Sequence, residues 1–302
     1  MSKGVNLMNQ KFQLSCESTV DLPYSYVSEK NITVLFYTYS VDGVEYEDDM
    51  GRDPAARKQF YDFIDAGKKP STSQINTYRY LEYFRPLLEK GDVLHIAFGS
   101  GMTPSVNNAV EAAKTLKDEF PDRRLVIVDS TCSSSGYGLL VDIAADLRDQ
   151  GEEMEAIEEW LQHIRTRVHH NFFVTDLTML RRGGRVSGPT AAIATVLGIC
   201  PTLRLNATGH IIADGKVRGK KNAVKATVQT MIDRLQGDLN YSGKCYISHA
   251  NALEDAEATK AAVEAVFPNL VGKVQIFDIG TIIASHCGPG TVALFYLGEE
   301  RV

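Results

Sequence analysis

The sequence predicts an α/β protein made of two α/β units, and three observations carry that reading. Compact apolar runs such as "DVLHIAFGS" and "RLVIVDS", of the kind a parallel sheet buries on both faces, alternate with stretches of helical period in the first half. The second half reads differently, as strands joined by a turn and packed with long helices in a mixed or antiparallel sheet. The length of 302 residues exceeds one ordinary domain, and the acidic stretch "DQGEEMEAIEEW" marks a junction. The expected units are an N-terminal one over 11–168, with a mainly parallel sheet flanked by helices, and a C-terminal one over 169–302, with a mainly antiparallel or mixed sheet and helices.

In chain order, "KFQLSCES" alternates apolar and polar residues and runs into the cap-rich "STVDLP". "ITVLFYTYSV" reads as one strong strand, and Asp42-Gly43 after it is a hairpin turn leading to "VEYED". Residues 53–66 and 76–90 have helical period. "SVNNAVEAAKTLKDEF" places Val106, Ala109, Val110, Ala113 and Leu116 on one helix face between two apolar strands, a β-α-β unit. Helices over 135–149 and 152–168 close the first half. The second half opens with a short strand near Phe172, a helix ending at "RRGGR" and a small-residue helix, "GPTAAIATVLG". "CPTLRLNATGHIIADGKVRG" then reads as strand, turn at Ala207–Gly209, and strand. A helix over 219–236, "KCYISHA", the helix "LEDAEATKAAVEAVF", "KVQIFDIG" and a closing strand complete it.

The composition, 44% apolar and 23% charged, is that of a water-soluble globular protein, and the net charge of −6 argues against a nucleic-acid or membrane-surface binder. Cys16, Cys132, Cys200, Cys245 and Cys287 are scattered, without the spacing of a metal site or a disulfide framework. They read as reduced thiols of a cytoplasmic protein that carries no metal or other cofactor. No signal peptide and no 18-residue apolar run is seen, so no membrane insertion is expected.

In open α/β sheets, ligands sit beyond the carboxyl ends of the strands. Four loops in such places are rich in hydroxyls and glycine: "ESTVD", "PSTSQ", "GSGMTPS" and "DSTCSSSG". Each alone is an ordinary helix cap. Together they supply hydroxyl and backbone N–H donors of the kind an anion or carboxylate requires. There is no P-loop, no GxGxxG after the first strand and no GxSxG elbow, which argues against nucleotide binding and against a serine hydrolase. "LRRGGRVSG" holds Arg181, Arg182 and Arg185; it reads either as a helix end with cations favouring the dipole or as a fixed positive charge in a cleft. "GKVRGKK" is a basic turn, either a solvated hairpin end or a docking patch.

Six motifs taken in order, "STVDLP", "TSQ", "GSGMTPS", "VDS", "LRRGGRVSG" and "SHCGPGTVALFY", closely resemble the DegV family of bacterial fatty-acid-binding proteins, over about residues 11–298. The resemblance implies two α/β domains with one long-chain fatty acid between them. It implies a carboxylate held by Thr72 and Ser73, Ser100 and Thr103, with Arg185 and His286 nearby. It also implies a carrier, not a catalyst, which presents the acid to a separate fatty acid kinase for conversion to the acyl phosphate. The basic residues Arg204, Lys216, Arg218, Lys220 and Lys221 are the docking candidates for that kinase. Here the loop usually written S-G-L-S-G-T is Ser100-Gly101-Met102-Thr103-Pro104-Ser105, and Cys287 stands before "GPG". "AAIATVLGI" and "IGTIIAS" offer small, aliphatic walls for an acyl chain. The competing reading is a serine-dependent acyl hydrolase or acyl transferase using Ser100 with His286.

Overall fold

The computed structural model describes residues 11–186 and 198–302. Most of the helix expected over "GPTAAIATVLG", and most of the wall "AAIATVLGI", lies outside them.

The first half is built on a four-stranded parallel sheet. Its strands are β1 (Gln13–Glu17), β2 (Ile32–Leu35), β6 (Val93–Ala97) and β7 (Leu125–Asp129), in the order β2-β1-β6-β7. The helix Ser105–Glu119 joins β6 to β7, as its apolar spacing requires, and buries Val106, Ala109, Ala112 and Leu116. A small antiparallel sheet, β4-β3-β5, stands beside it, made of β3 (Thr38–Val41), β4 (Val44–Glu47) and β5 (Ser71–Thr72). The β3–β4 hairpin turns at Asp42 and Gly43, with φ of 52° and 84°. Positive φ at both central residues is what a tight hairpin of this twist demands.

"ITVLFYTYSV" is therefore two strands. The chain leaves the parallel sheet after Leu35 and enters the small sheet at Thr38. Its apolar pattern is unbroken across that change because both sheets bury part of it.

The second half is a six-stranded sheet in the order β10-β9-β8-β13-β11-β12. It comprises β8 (Val168–Phe173), β9 (Ile199–Leu205), β10 (Ile211–Arg218), β11 (Cys245–His249), β12 (Gln275–Asp278) and β13 (Val292–Leu297). Every pairing is antiparallel except β11 with β12. The helix expected over 152–168 is shorter, Met154–Ile164, because a tight turn at Arg165–Arg167 redirects the chain into β8. Between β12 and β13 lies a short helix, Thr281–Cys287, where the sequence reading runs directly into the closing strand.

The two sheets are joined by buried polar groups. Asp142, on the helix Ser134–Asp149, has a fully buried side chain and accepts from Tyr26 (2.8 Å) and Tyr246 (2.5 Å) while pairing with Lys30 and Lys244. Burial alone would raise its pKa, but the two ammonium groups hold it below the usual carboxylate range. At the end of β1, Glu17 is equally buried. Its carboxylate accepts from the Phe98 N–H (2.7 Å) and the Tyr137 (2.8 Å) and Tyr80 (2.6 Å) hydroxyls, with His95 Nε2 at 3.1 Å. This network fixes the carboxyl ends of β1 and β6 relative to each other. All five cysteines are buried and unpaired.

Candidate functional site

A cavity of about 260 Å³ lies beyond the carboxyl ends of the parallel strands, against the inner face of the second sheet. The first half contributes Tyr37 after β2, Phe98 and Thr103 after β6, and Ser133 and Ser134 after β7. The second half contributes Phe172 from β8, Leu205 and Ile211 from the β9–β10 hairpin, Ile282 and His286 from the short helix, and Ala293 and Phe295 from β13. Most of the wall is apolar.

Polar groups from both halves interrupt it. Thr72, Ser73, Gln74, Thr103, Arg185 and His286 all border the cavity, and Ser73 and Gln74 are exposed at its rim. His286 occupies the last turn of the helix Thr281–Cys287. Its Nε2 lies 2.8 Å from Thr72 Oγ1, while its buried Nδ1 has no hydrogen-bond partner among the described residues. Burial, and then the charges of Arg185 and Arg182, push its pKa down to about 4, so the imidazole is neutral at physiological pH. Arg185 is held by donating from Nη1 to the Gly183 carbonyl, and burial lowers its pKa too.

Glycine is needed at several places here. A Cβ at Gly183 would stand 2.4 Å from His286 Nδ1. After the helix, Gly288 has φ of 76° and a Cβ there would meet Met179 Sδ at 2.7 Å. The Gly-Pro-Gly corner thus turns the chain out of the helix and into β13 against the segment that carries the arginines.

His170 and Ser134, also on the wall, are already engaged. His170 Nε2 accepts from the Ser133 N–H at 3.1 Å, and Nδ1 lies 3.0 Å from the Val168 carbonyl. Burial drives its pKa far below the ordinary value. Ser134 donates to Asp21 and lies 3.1 Å from Ser248 Oγ. Cys287 lines the cavity, but burial pushes its thiol up to about 12, so it is no nucleophile at neutral pH.

Of the six residues expected at a carboxylate site, five border the cavity and Ser100 does not. Residues 99–103 form a tight turn in which the Met102 (2.9 Å) and Thr103 (3.3 Å) N–H groups donate to the Gly99 carbonyl. That turn carries Thr103 inward, leaves Ser100 exposed, and directs the Ser100 N–H to Asp129 (3.0 Å). No hydrogen bond joins Ser100 to His286 among the described residues, so the two are not paired as nucleophile and base. Tyr37, Ser133, Ser134 and His170 border the cavity without having been singled out in the sequence. For the two serines the loop "DSTCSSSG" was the available signal; Tyr37 and His170 sit in apolar or strand contexts that give none.

The basic residues of the β9–β10 ribbon and of the helix that follows it, Lys220–Arg234, lie elsewhere. Lys216, Arg218, Lys220 and Lys221 are exposed. Arg204 is partly buried, 3.3 Å from Asp214 and 3.1 Å from the Val302 carbonyl, and Lys220 pairs with Asp255 at 2.6 Å.

Comparison with known proteins gives the family and the fold. A protein-family model described as "Uncharacterised protein, DegV family" matches residues 11–299. The chain belongs to the DegV family. A DegV domain-containing protein of Clostridium perfringens is 33% identical over 293 residues, covering 97% of this chain and 99% of its own. A solved structure described as fatty acid binding of a DegV family protein from Thermus thermophilus matches with a TM-score of 0.83. It is 27% identical and covers 96% of this chain and all of its own. A stearic acid-binding protein from Eubacterium ventriosum matches with a TM-score of 0.84 at 22% identity, covering 95% and 98%, and so speaks for the fold. The two-unit α/β architecture is that of DegV structures. Among the described residues, no helix is long and apolar enough to cross a membrane.

Proposed function

We propose that this DegV protein binds one long-chain fatty acid in the cavity between its two sheets. The carboxylate is held at the end formed by Thr72, Ser73, Thr103, Arg185 and His286. The observation that carries this reading is the partly buried Thr72–His286 pair beside the Arg185 guanidinium on an otherwise mostly apolar wall. The polar atoms of Ser134 and His170 on the same wall are engaged by the protein itself. The fatty-acid binding reported for the Thermus thermophilus relative supports the ligand class.

The energetics fit. An ionised carboxylate leaving water requires several charge-assisted hydrogen bonds, because stranding it costs several kcal/mol. Each buried methylene contributes roughly 0.8 kcal/mol, so about ten of them outweigh that cost. A neutral His286 donates from Nε2 to Thr72 Oγ1, which frees the threonine hydroxyl proton for the carboxylate. Arg185 supplies the positive charge.

The protein acts as a carrier in the cytoplasm and is not itself the catalyst. Because Ser73 and Gln74 are exposed at the polar end, a second protein has access to the carboxylate. That partner is a separate fatty acid kinase, docking through the exposed cations Lys216, Arg218, Lys220 and Lys221 with Arg204 beside them. The 11–168 and 169–302 units are the two domains that enclose the ligand.

The experiment is direct: protein purified from a bacterial host is extracted with solvent and the extract examined by mass spectrometry. A stoichiometric long-chain fatty acid is expected. Absence of any lipid, together with failure to bind added oleate, removes the proposal.

A further inference from the structure

We propose that Asp21 and Asp48, two buried carboxylates of the first half, are positioning residues. They dock the start of the helix Thr281–Cys287 so that His286 at its other end meets Thr72. This inference rests on the fatty-acid reading only for its functional readout.

The geometry is specific. Asp21 Oδ1 accepts from the Gly280 N–H at 2.9 Å, and Asp48 Oδ1 accepts from the Thr281 N–H at 3.2 Å and the Thr281 hydroxyl at 2.9 Å. The helix is seven residues long, so His286 lies about one and a half turns from these contacts. A helix this short has little stability of its own and takes its placement from its neighbours. Both of its ends are set by the first half: the start by the two carboxylates and the end by Thr72.

Each carboxylate is itself tied to the cavity wall. Asp21 Oδ2 accepts from Ser134, and the Ser135 hydroxyl donates to the Asp21 carbonyl at 2.9 Å. The Asp48 N–H donates to the Tyr37 carbonyl at 3.0 Å, and the Tyr37 N–H donates to Ser18 Oγ at 3.1 Å. Asp21 and Ser134 both hold left-handed backbone conformations, with φ of 47° and 53°. Such conformations cost free energy in residues other than glycine and persist where the surroundings over-determine them. Two buried acidic side chains are also costly for stability alone. One oxygen of each, Oδ1, accepts from the start of the helix that carries His286.

The test measures oleate affinity and, by NMR, the titration of the His286 imidazole in folded Asp21→Ala, Asp48→Ala and Asp48→Asn proteins. Loss of either acceptor is expected to weaken oleate binding roughly tenfold, the equivalent of one hydrogen bond to a charged group. It is also expected to move the His286 titration up toward that of a solvated imidazole. Asp48→Asn keeps an acceptor oxygen for Thr281 and is expected to retain the wild-type titration and, within about twofold, the wild-type affinity. Thr281→Val removes the hydroxyl half of the same contact from the other side, is expected to weaken oleate binding and raise the His286 titration in the same direction, and carries the test if an alanine variant does not fold. A folded variant that lacks the contact yet keeps both wild-type oleate affinity and wild-type titration overturns the positioning role. If the wild-type protein takes no oleate, the fatty-acid reading fails, and the His286 titration alone decides this inference.

Discussion

The imidazole of His286 rests on the bare backbone of Gly183, where a Cβ would stand 2.4 Å from Nδ1. Gly183 itself has ordinary helical dihedrals, φ of −73° and ψ of −8°, so alanine there is resisted by the ring and not by the backbone. Gly183→Ala is therefore expected to keep the fold at a cost of about 1–3 kcal/mol, the range for overpacking. It should displace the ring from Thr72 and weaken oleate binding. Thermal melts and a fluorescent fatty-acid displacement assay on one preparation check both.

Thr103 and Ser100 separate the two functional readings. Thr103→Val is expected to lower oleate affinity by about tenfold, the equivalent of one charge-assisted hydrogen bond. Ser100→Ala, at an exposed position outside the cavity, should leave it unchanged. An ester or thioester hydrolysis rate that vanishes in Ser100→Ala would reverse this assignment.

Arg185 is expected to recognise charge and not chain. Arg185→Gln should weaken oleate by roughly tenfold or more while leaving oleyl alcohol, which has no carboxylate, nearly unaffected. Paired titrations by calorimetry distinguish this from a general loss of the cavity.

Two groups near the site shift stability in opposite directions with pH. The folded pKa of His286, about 4, is below its ordinary 6.5, so the unfolded chain takes up its proton first. Stability is lost as pH falls from about 6.5 to 4, by up to about 3 kcal/mol. Asp48 is raised by burial from 3.8 to about 6. Its contribution is fully present below about 3.8 and is lost as pH rises through 6. His286→Gln should flatten the fall in Tm between pH 7 and 4.5, and Asp48→Asn should steepen it.

Reversing Lys216, Arg218 and Lys221 to glutamate is expected to abolish acyl phosphate formation by an added fatty acid kinase and to leave oleate affinity intact. These side chains are exposed and away from the cavity lining. Loss of lipid binding as well would count against a separate docking surface.

Much of the architecture was legible because its signals are local. Asp42-Gly43 specifies a hairpin by dihedral chemistry, and the spacing of Val106, Ala109 and Leu116 specifies a helix by periodicity. What escaped depends on partners far along the chain. The break after Leu35 follows from a change of sheet that an unbroken apolar run does not register. The helix Thr281–Cys287 is too short for periodicity to declare and is placed by Asp21 and Asp48. Which hydroxyl of "SGMT" faces inward is decided by one tight turn. Tyr37 and His170 reach the cavity only through packing.

The last long strand, β13, lies in the middle of the second sheet, between β8 and β11. A ribosome delivers it after the other strands of the described residues, so the second sheet lacks its centre until Val292–Leu297 have been made. The cavity wall contains Ala293 and Phe295 from this strand, which means a nascent or C-terminally truncated chain has no finished compartment for an acyl chain. On the proposed function, a chain that stops before Val292 would have no wall on that side to hold an acyl chain.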